Sequence, residues 1–397
     1  MKTTTTLPHA AQGPAAWGAV LAMALAAFAL VASEFMPVSL LTPIAAELLI
    51  SEGQAGQAIA VSGAFALLSS LCIASLAGRL DRKLLLASLA LLMIISGTVV
   101  AFAPNYLIFI LGRALIGVAI GGFWSLSAAT AMRLVPEHQV PKALAILNGG
   151  NALATVIAAP LGSFLGAIVG WRLAFFAVVP IAAIALGWKL LTLPTMKAER
   201  SERRANPFHL LKRAPVALGM AASSLFFMGQ FSLYTYLRPF LESKTRVDAT
   251  TLSLLLLVVG VAGFIGTALI GAFLKQGVHR PLALISVLMA IVALALTVLG
   301  GSLASTALLL GLWGLLGTAA PVAWWTWLAR ILPRDAEAGG GLLVAVVQLA
   351  IMLGATLGGL LFDASGYRAT FEMSAVLLLI AAALTLLTAR AEQQSST

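Results

Sequence analysis

Glu34 is the one acidic residue placed well inside an apolar run, in the segment Val31-Ala32-Ser33-Glu34-Phe35-Met36-Pro37. A carboxylate in hydrocarbon is costly, so Glu34 must face a cavity, carry a proton or pair with a base. Arg113 is the matching base, in the apolar stretch 106–131, YLIFILGRALIGVAIGGFWSLSAATA. Counted from the ends of their runs, both lie about 10–12 Å in from the same membrane boundary. Two readings are open for Glu34: a static ion pair with Arg113, or a carboxylate that titrates or meets substrate. Gln230, Tyr234 and Arg238, spaced by four, share one helix face. Gln230 and Tyr234 lie deep enough to hydrogen-bond a polar planar ligand, or to pack. Arg238, near the end of its run, fits snorkelling to the interface. Trp124 offers a deep stacking surface, and Asn148, Asn151 and Gln348 are amides that either read heteroatoms or join helices. Trp324, Trp325 and Trp327 fit an interfacial belt, with a stacking surface as the rival reading.

The composition says what must position these groups. The 397 residues are 61% hydrophobic and 10% charged, with mean hydropathy +1.03. Soluble domains carry roughly 25% charged residues, so that class is excluded. The chain reads as an all-α polytopic membrane protein of twelve transmembrane helices in two six-helix bundles, near 16–41, 56–77, 83–103, 106–131, 142–168, 172–193, 214–240, 251–274, 280–301, 303–330, 338–363 and 368–389. Glu47, Glu52 and Glu137 then fall in loops, and Asp363 near the outer end of the eleventh span. The net charge of +10 concentrates in linkers on one face, including Arg79, Arg82, Lys83, Arg133, Lys142, Lys197, Arg200, Arg203, Arg204, Lys212, Arg213, Lys275, Arg280, Arg330 and Arg334. By the positive-inside rule that face and both termini are cytoplasmic. Nucleic acid is not the expected partner. Five parts follow: a tail 1–15, a bundle 16–193, a linker 194–213, a bundle 214–389 and a tail 390–397. His209 is an ordinary linker residue, and the lone Cys72 precludes an intramolecular disulfide and reads as packed.

The halves repeat at an offset of 196–197. Trp171-Arg172-Leu173-Ala174-Phe175 aligns with Tyr367-Arg368-Ala369-Thr370-Phe371, Pro43 with Pro239, Pro136 with Pro333, Gly162 with Gly359, and Glu34 with Gln230. Two related bundles around a central site suit alternating access. No phosphate loop, nucleotide fingerprint, metal spacing or nucleophile motif stands out, so an enzyme, a cofactor and a metal gain no support, and an ion gradient is the expected energy source.

Over about 14–390 the chain resembles the major facilitator superfamily, in the order of its twelve-helix proton-coupled drug and metabolite efflux branch. Asp81-Arg82-Lys83 is similar to the cytoplasmic gating motif, with Ala77 at its usual leading glycine and Leu84-Leu85 in place of its trailing Gly-Arg. Arg113 with Gly117 and Gly121 resembles the fourth-span motif associated with proton coupling. Gly150 through Pro160 and Gly162 resembles the fifth-span antiporter motif, with Ala159 where glycine is usual. Glu34 through Pro43, Gly122-Phe123-Trp124, Met132 through Pro136, and Ala158 through Gly166 resemble bacterial purine ribonucleoside efflux pumps. The resemblance implies export of inosine, guanosine and analogues by proton antiport across the bacterial inner membrane. Glu34 and Arg113 would then couple protons, Asp81 and Arg82 would gate the cytoplasmic side, and Trp124, Asn148, Asn151, Gln230, Tyr234 and Gln348 would meet substrate. The expected partners are the small-molecule substrate, protons and membrane lipids, with the chain acting as a monomer. A drug or sugar exporter on the same scaffold and a non-transporting membrane receptor are the alternatives.

Overall fold

The computed structural model describes residues 15–76, 80–196, 207–333 and 335–396. Arg79, Ala77, Arg334 and most of the central linker, with Lys197, Arg200, Arg203 and Arg204, lie outside them. The described chain is helical almost throughout, because hydrocarbon leaves backbone N–H and C=O groups no partner but one another. The helices are α1 (Trp17–Leu48), α2 (Glu52–Leu76), α3 (Arg82–Ala101), α4 (Tyr106–Arg133), α5 (Val140–Phe176), α6 (Val178–Thr192), α7 (Ala214–Thr235), a short α8 (Leu237–Phe240), α9 (Ala249–Phe273), α10 (His279–Leu299), α11 (Leu303–Ile331) and α12 (Ala336–Ser396).

Local chemistry sets the turns. Leu49 ends α1 in the left-handed region at φ 55°. Ser51 and Gln54 then cap α2 reciprocally, each backbone N–H donating 3.0 Å to the other's side chain. Asp81, Asn105 and Asp248 cap α3, α4 and α9. α1 is longer than the span 16–41 expected from sequence. It runs through Pro37 and Pro43, so Glu34 sits near mid-helix and Glu47 lies in its last turn.

Among the described residues, 10 stretches are long and apolar enough to cross a membrane. Two of these, Glu137–Thr192 and Ala338–Gln394, are 56 and 57 residues long. That is more than twice the roughly 20 residues a bilayer needs. Each is broken at one glycine, Gly170 at φ 83° and Gly366 at φ 75°, a conformation that a Cβ would oppose. The segment beyond 389 continues α12 as helix to Ser396.

The buried residues form two cores, one almost wholly from α1–α6 and one mostly from α7–α12. The repeat is geometric as well as sequential. Trp17 and Ala214, Glu52 and Ala249, Arg82 and His279, and Tyr106 and Leu303 are helix starts 197 residues apart. Gly117 of α4 closes on the backbone of Ser62 in α2, and Gly314 of α11, 197 residues on, closes on Val259 of α9. The halves meet where α2 packs on α12 and α5 on α9. There too the contacts correspond: Gly63 faces Gln348 and Met352, and Gly260 faces Val156. Lipid tails are as apolar as leucine, so backbone approach at such small residues supplies much of the packing.

Candidate functional site

Proline in α1 creates the acceptors on which the site is built. A proline at position i has no N–H, which frees the carbonyl at i−4. Pro37 thereby frees Ser33, and Pro43 frees Ser39. Each carbonyl is taken by a buried arginine. Arg113, fully buried, donates from Nη1 to the Ser33 carbonyl at 2.7 Å and from Nη2 to the Glu34 carbonyl at 3.0 Å. Its Nε donates to the Ala58 carbonyl at 3.1 Å, and Nη2 also reaches Ser62 Oγ at 3.3 Å. Arg238, from the other half, donates to the Ser39 carbonyl and pairs with Glu242 at 2.8 Å. It is buried rather than snorkelling.

The expected Glu34–Arg113 pair therefore takes a different form. Arg113 grips the backbone of Glu34, and no ion pair joins the two side chains among the described residues. The Glu34 carboxyl lies beside the side-chain amide of Gln348, on α12, and feels Arg113 through space. Glu34 and Gln348 are 6% and 7% exposed. Their contact joins the two halves. Beside it Phe35 stacks on Phe231 with ring centroids 5.7 Å apart. Next to Phe231, Gln230 donates to the Gly317 carbonyl of α11 at 3.3 Å while its Oε1 has no protein partner. The Gln348 Oε1 and the indole N–H groups of Trp313 and Trp324 are likewise buried without partners.

The remaining predicted residues scatter around this centre. Tyr234 is partly buried against Phe231, and Trp124 lies edge-on to Phe123 at 5.5 Å. Asn148 is exposed and donates within its own helix to the Leu144 carbonyl at 2.9 Å; Asn151 is half-buried. Gly150 and Gly162 face α1 at Ala24 and Ser39, with Pro160 buried between them. Asp81 accepts from the Lys83 and Met196 backbone N–H groups at 2.7 and 3.2 Å, and Arg82 N donates to the Met196 carbonyl, so these contacts stay within one half. Trp324 and Trp327 are core residues at 1% exposure, and only Trp325 is exposed as a belt residue would be. Cys72, expected to be packed, is exposed on the apolar surface.

At the end of the bundle opposite most of the basic residues, the two halves are bridged by a contact the sequence does not announce. Asp363 of α12 accepts from Ser51 Oγ at 2.6 Å and from Gly53 N at 2.9 Å. It thus joins the α2 capping box and meets the positive end of that helix. Thr356 Oγ1 to Gln57 Oε1, at 3.2 Å, adds a second bridge. Charge-assisted hydrogen bonds contribute about 1.5–3 kcal/mol each. Asp363→Ala should therefore shift the open-to-closed ratio at this end by at least about tenfold. Maleimide labelling of Gln57→Cys in detergent, in a Cys72→Ser background, should rise accordingly; unchanged labelling would deny Asp363 that role.

Two related helical bundles meeting at a buried carboxyl define a membrane carrier rather than an enzyme. Residues 23–342 match the Major Facilitator Superfamily, and the chain belongs to it. It is 61% identical, over 98% of its length and 99% of the relative's, to a Pseudomonas aeruginosa protein called transcription regulatory protein OpdE. It is 42% identical, over 92% of both chains, to the purine ribonucleoside efflux pump NepI of Salmonella typhimurium. Among solved structures, a bacterial homolog of the human lysosomal transporter Spinster superposes with a TM-score of 0.79 at 18% identity, covering 96% of this chain and 98% of that one. A variant of the nucleoside transporter NupG gives 0.77 at 13%, covering 93% and 98%.

Proposed function

We propose that the chain is a proton-coupled antiporter that exports purine ribonucleosides across a bacterial inner membrane. The breaks at Gly170 and Gly366 are read as turns between crossings, which gives twelve spans, with the bundles at 16–193 and 214–389 and both termini cytoplasmic. The Asp363 latch then closes the periplasmic side. The carrying observation is the buried Glu34 carboxyl at the seam, beside the buried Gln348 of the other half. An ionised carboxylate only accepts hydrogen bonds, whereas a protonated one also donates. Proton binding therefore changes which Gln348 atom Glu34 can use, and so ties protonation to closure of the seam. Gln230, Gln348, Tyr234 and Trp124 supply amide, hydroxyl and indole groups suited to a planar base and its ribose. Asn148 and Asn151 take the same role at the mouth, while Asp81 and Arg82 gate the cytoplasmic side.

Likeness to the Salmonella pump supports the substrate. The regulatory name of the Pseudomonas relative fits an exporter that sets the internal level of an effector. Purified protein in liposomes with an imposed pH gradient tests the proposal. Radiolabelled inosine or guanosine should move saturably and stop when the gradient collapses, and Trp124→Ala should raise KM about tenfold, the scale of one lost stacking contact. Flux of only a pentose or a lipophilic cation would replace the substrate.

A further inference from the structure

Lys189 is a buried charge for which the coupling scheme has no use. It lies in the last turn of α6, one turn from Thr192, where a lysine stem ordinarily snorkels to water. Instead the side chain turns inward and is 1% exposed. Its Nζ has no hydrogen-bond partner and sits 5.1 Å from the centroid of the Phe123 ring on α4. One turn beyond Phe123, the hydroxyl of Ser127 is also buried without a partner. Helices α1, α3 and α5 pack on α6. The ionisable groups these helices, their caps and α4 contribute are Glu34, Glu47, Asp81, Arg82, Lys83, Tyr106, Arg113, Arg133, Lys142 and Arg172. Glu34 meets Gln348, Glu47 pairs with Arg172, Lys142 lies over Trp17, and Arg113 is held by backbone carbonyls. Among the described residues none of them pairs with Lys189.

An ammonium so placed has only a ring face to stabilise it, and a neutral amine there loses little. Gly18 of α1 packs on Thr192 and Trp188, so Lys189 sits near the start of α1, whereas Glu34 is at mid-helix. The two groups are too far apart to share one proton directly. On the footing of the proton-coupled reading above, we propose that Lys189 is a second proton-exchanging group of the carrier, loaded and emptied once in each cycle. The exchange is a plain acid–base step: the ammonium gives its proton to water entering from the cytoplasmic end and regains one from the substrate cavity when that cavity faces the opposite side.

The test measures protons moved per substrate in liposomes, from the pH gradient at which net flux vanishes. Inosine, guanosine, a pentose and a lipophilic cation serve as probes, with wild type, Lys189→Met and Lys189→Arg compared. Neither variant can release a proton from this position, so both should transport with one proton fewer than wild type. Lys189→Met should also melt at a higher temperature, since it removes an unpartnered buried amine. Wild-type stoichiometry in either variant overturns the proposal, as does rescue by arginine, which would mark a structural charge. Failure of both variants to insert would likewise assign Lys189 to folding. Loss of gradient-driven flux in the wild type, with every probe, would instead defeat the antiporter reading itself and Lys189's part in it.

Discussion

Glu34→Gln is expected to abolish gradient-driven export, lowering it at least about 100-fold, while the protein still folds. The glutamine keeps the shape of the side chain and its place beside Gln348, so the seam survives. What it loses is the ability to change protonation state. The substrate should still bind and exchange down its own gradient, and that separates a coupling defect from a folding defect. Export by Glu34→Gln that still responds to an imposed pH gradient would remove Glu34 from the coupling step.

Arg113→Ala should produce the largest loss of stability among the site variants. It strips the partner from the Ser33 carbonyl, which Pro37 denies a helical hydrogen bond, and removes the bonds to the Glu34 and Ala58 carbonyls. A buried acceptor left unsatisfied costs about 1–3 kcal/mol, and losing one side of a buried charged network about 3–5 kcal/mol. Arg113→Lys should recover little, because an ammonium cannot reproduce the guanidinium fork. Arg238→Ala, at the edge of the bundle with fewer contacts, should be milder in both melting temperature and transport. Equal, small effects at the two arginines would show that the proline-released carbonyls do not organise α1.

Much of the architecture is legible in the sequence because hydrocarbon imposes simple rules. Apolar runs become helices, basic residues collect at one end, and the 197-residue repeat surfaces as matching helix starts and matching glycine contacts. Glu34 and Arg113 are legible as a neighbourhood, since charges in apolar runs are rare. Their bonding is not, because the partners of Arg113 are backbone carbonyls, which carry no residue signature. A proline four residues on was the available signal: Pro37 points to Ser33 and Pro43 to Ser39. The contacts of Gln348 and Asp363 depend on how the halves dock, which no local pattern encodes. Lys189 was concealed for a different reason. Position along the chain places it with the snorkelling residues of the basic end, and only the inward rotamer sets it apart. Trp324 and Trp327 were misread by the same positional logic, being near a helix end yet core in fact.

The docking of the halves has an electrical consequence. The deep charges among the described residues, Glu34, Arg113 and Lys189, belong to the first bundle, whereas the second brings amides and indoles to the seam and keeps Arg238 paired with Glu242 near its rim. A membrane potential does work only on charge, about 2.3 kcal/mol per elementary charge carried across 100 mV. An energised membrane therefore acts more strongly on the first bundle, where most of the deep charge lies. Although the fold is nearly symmetric, its deep charge is not: most of it lies in the first bundle, and the second contributes Arg238 and Asp363 near its edges.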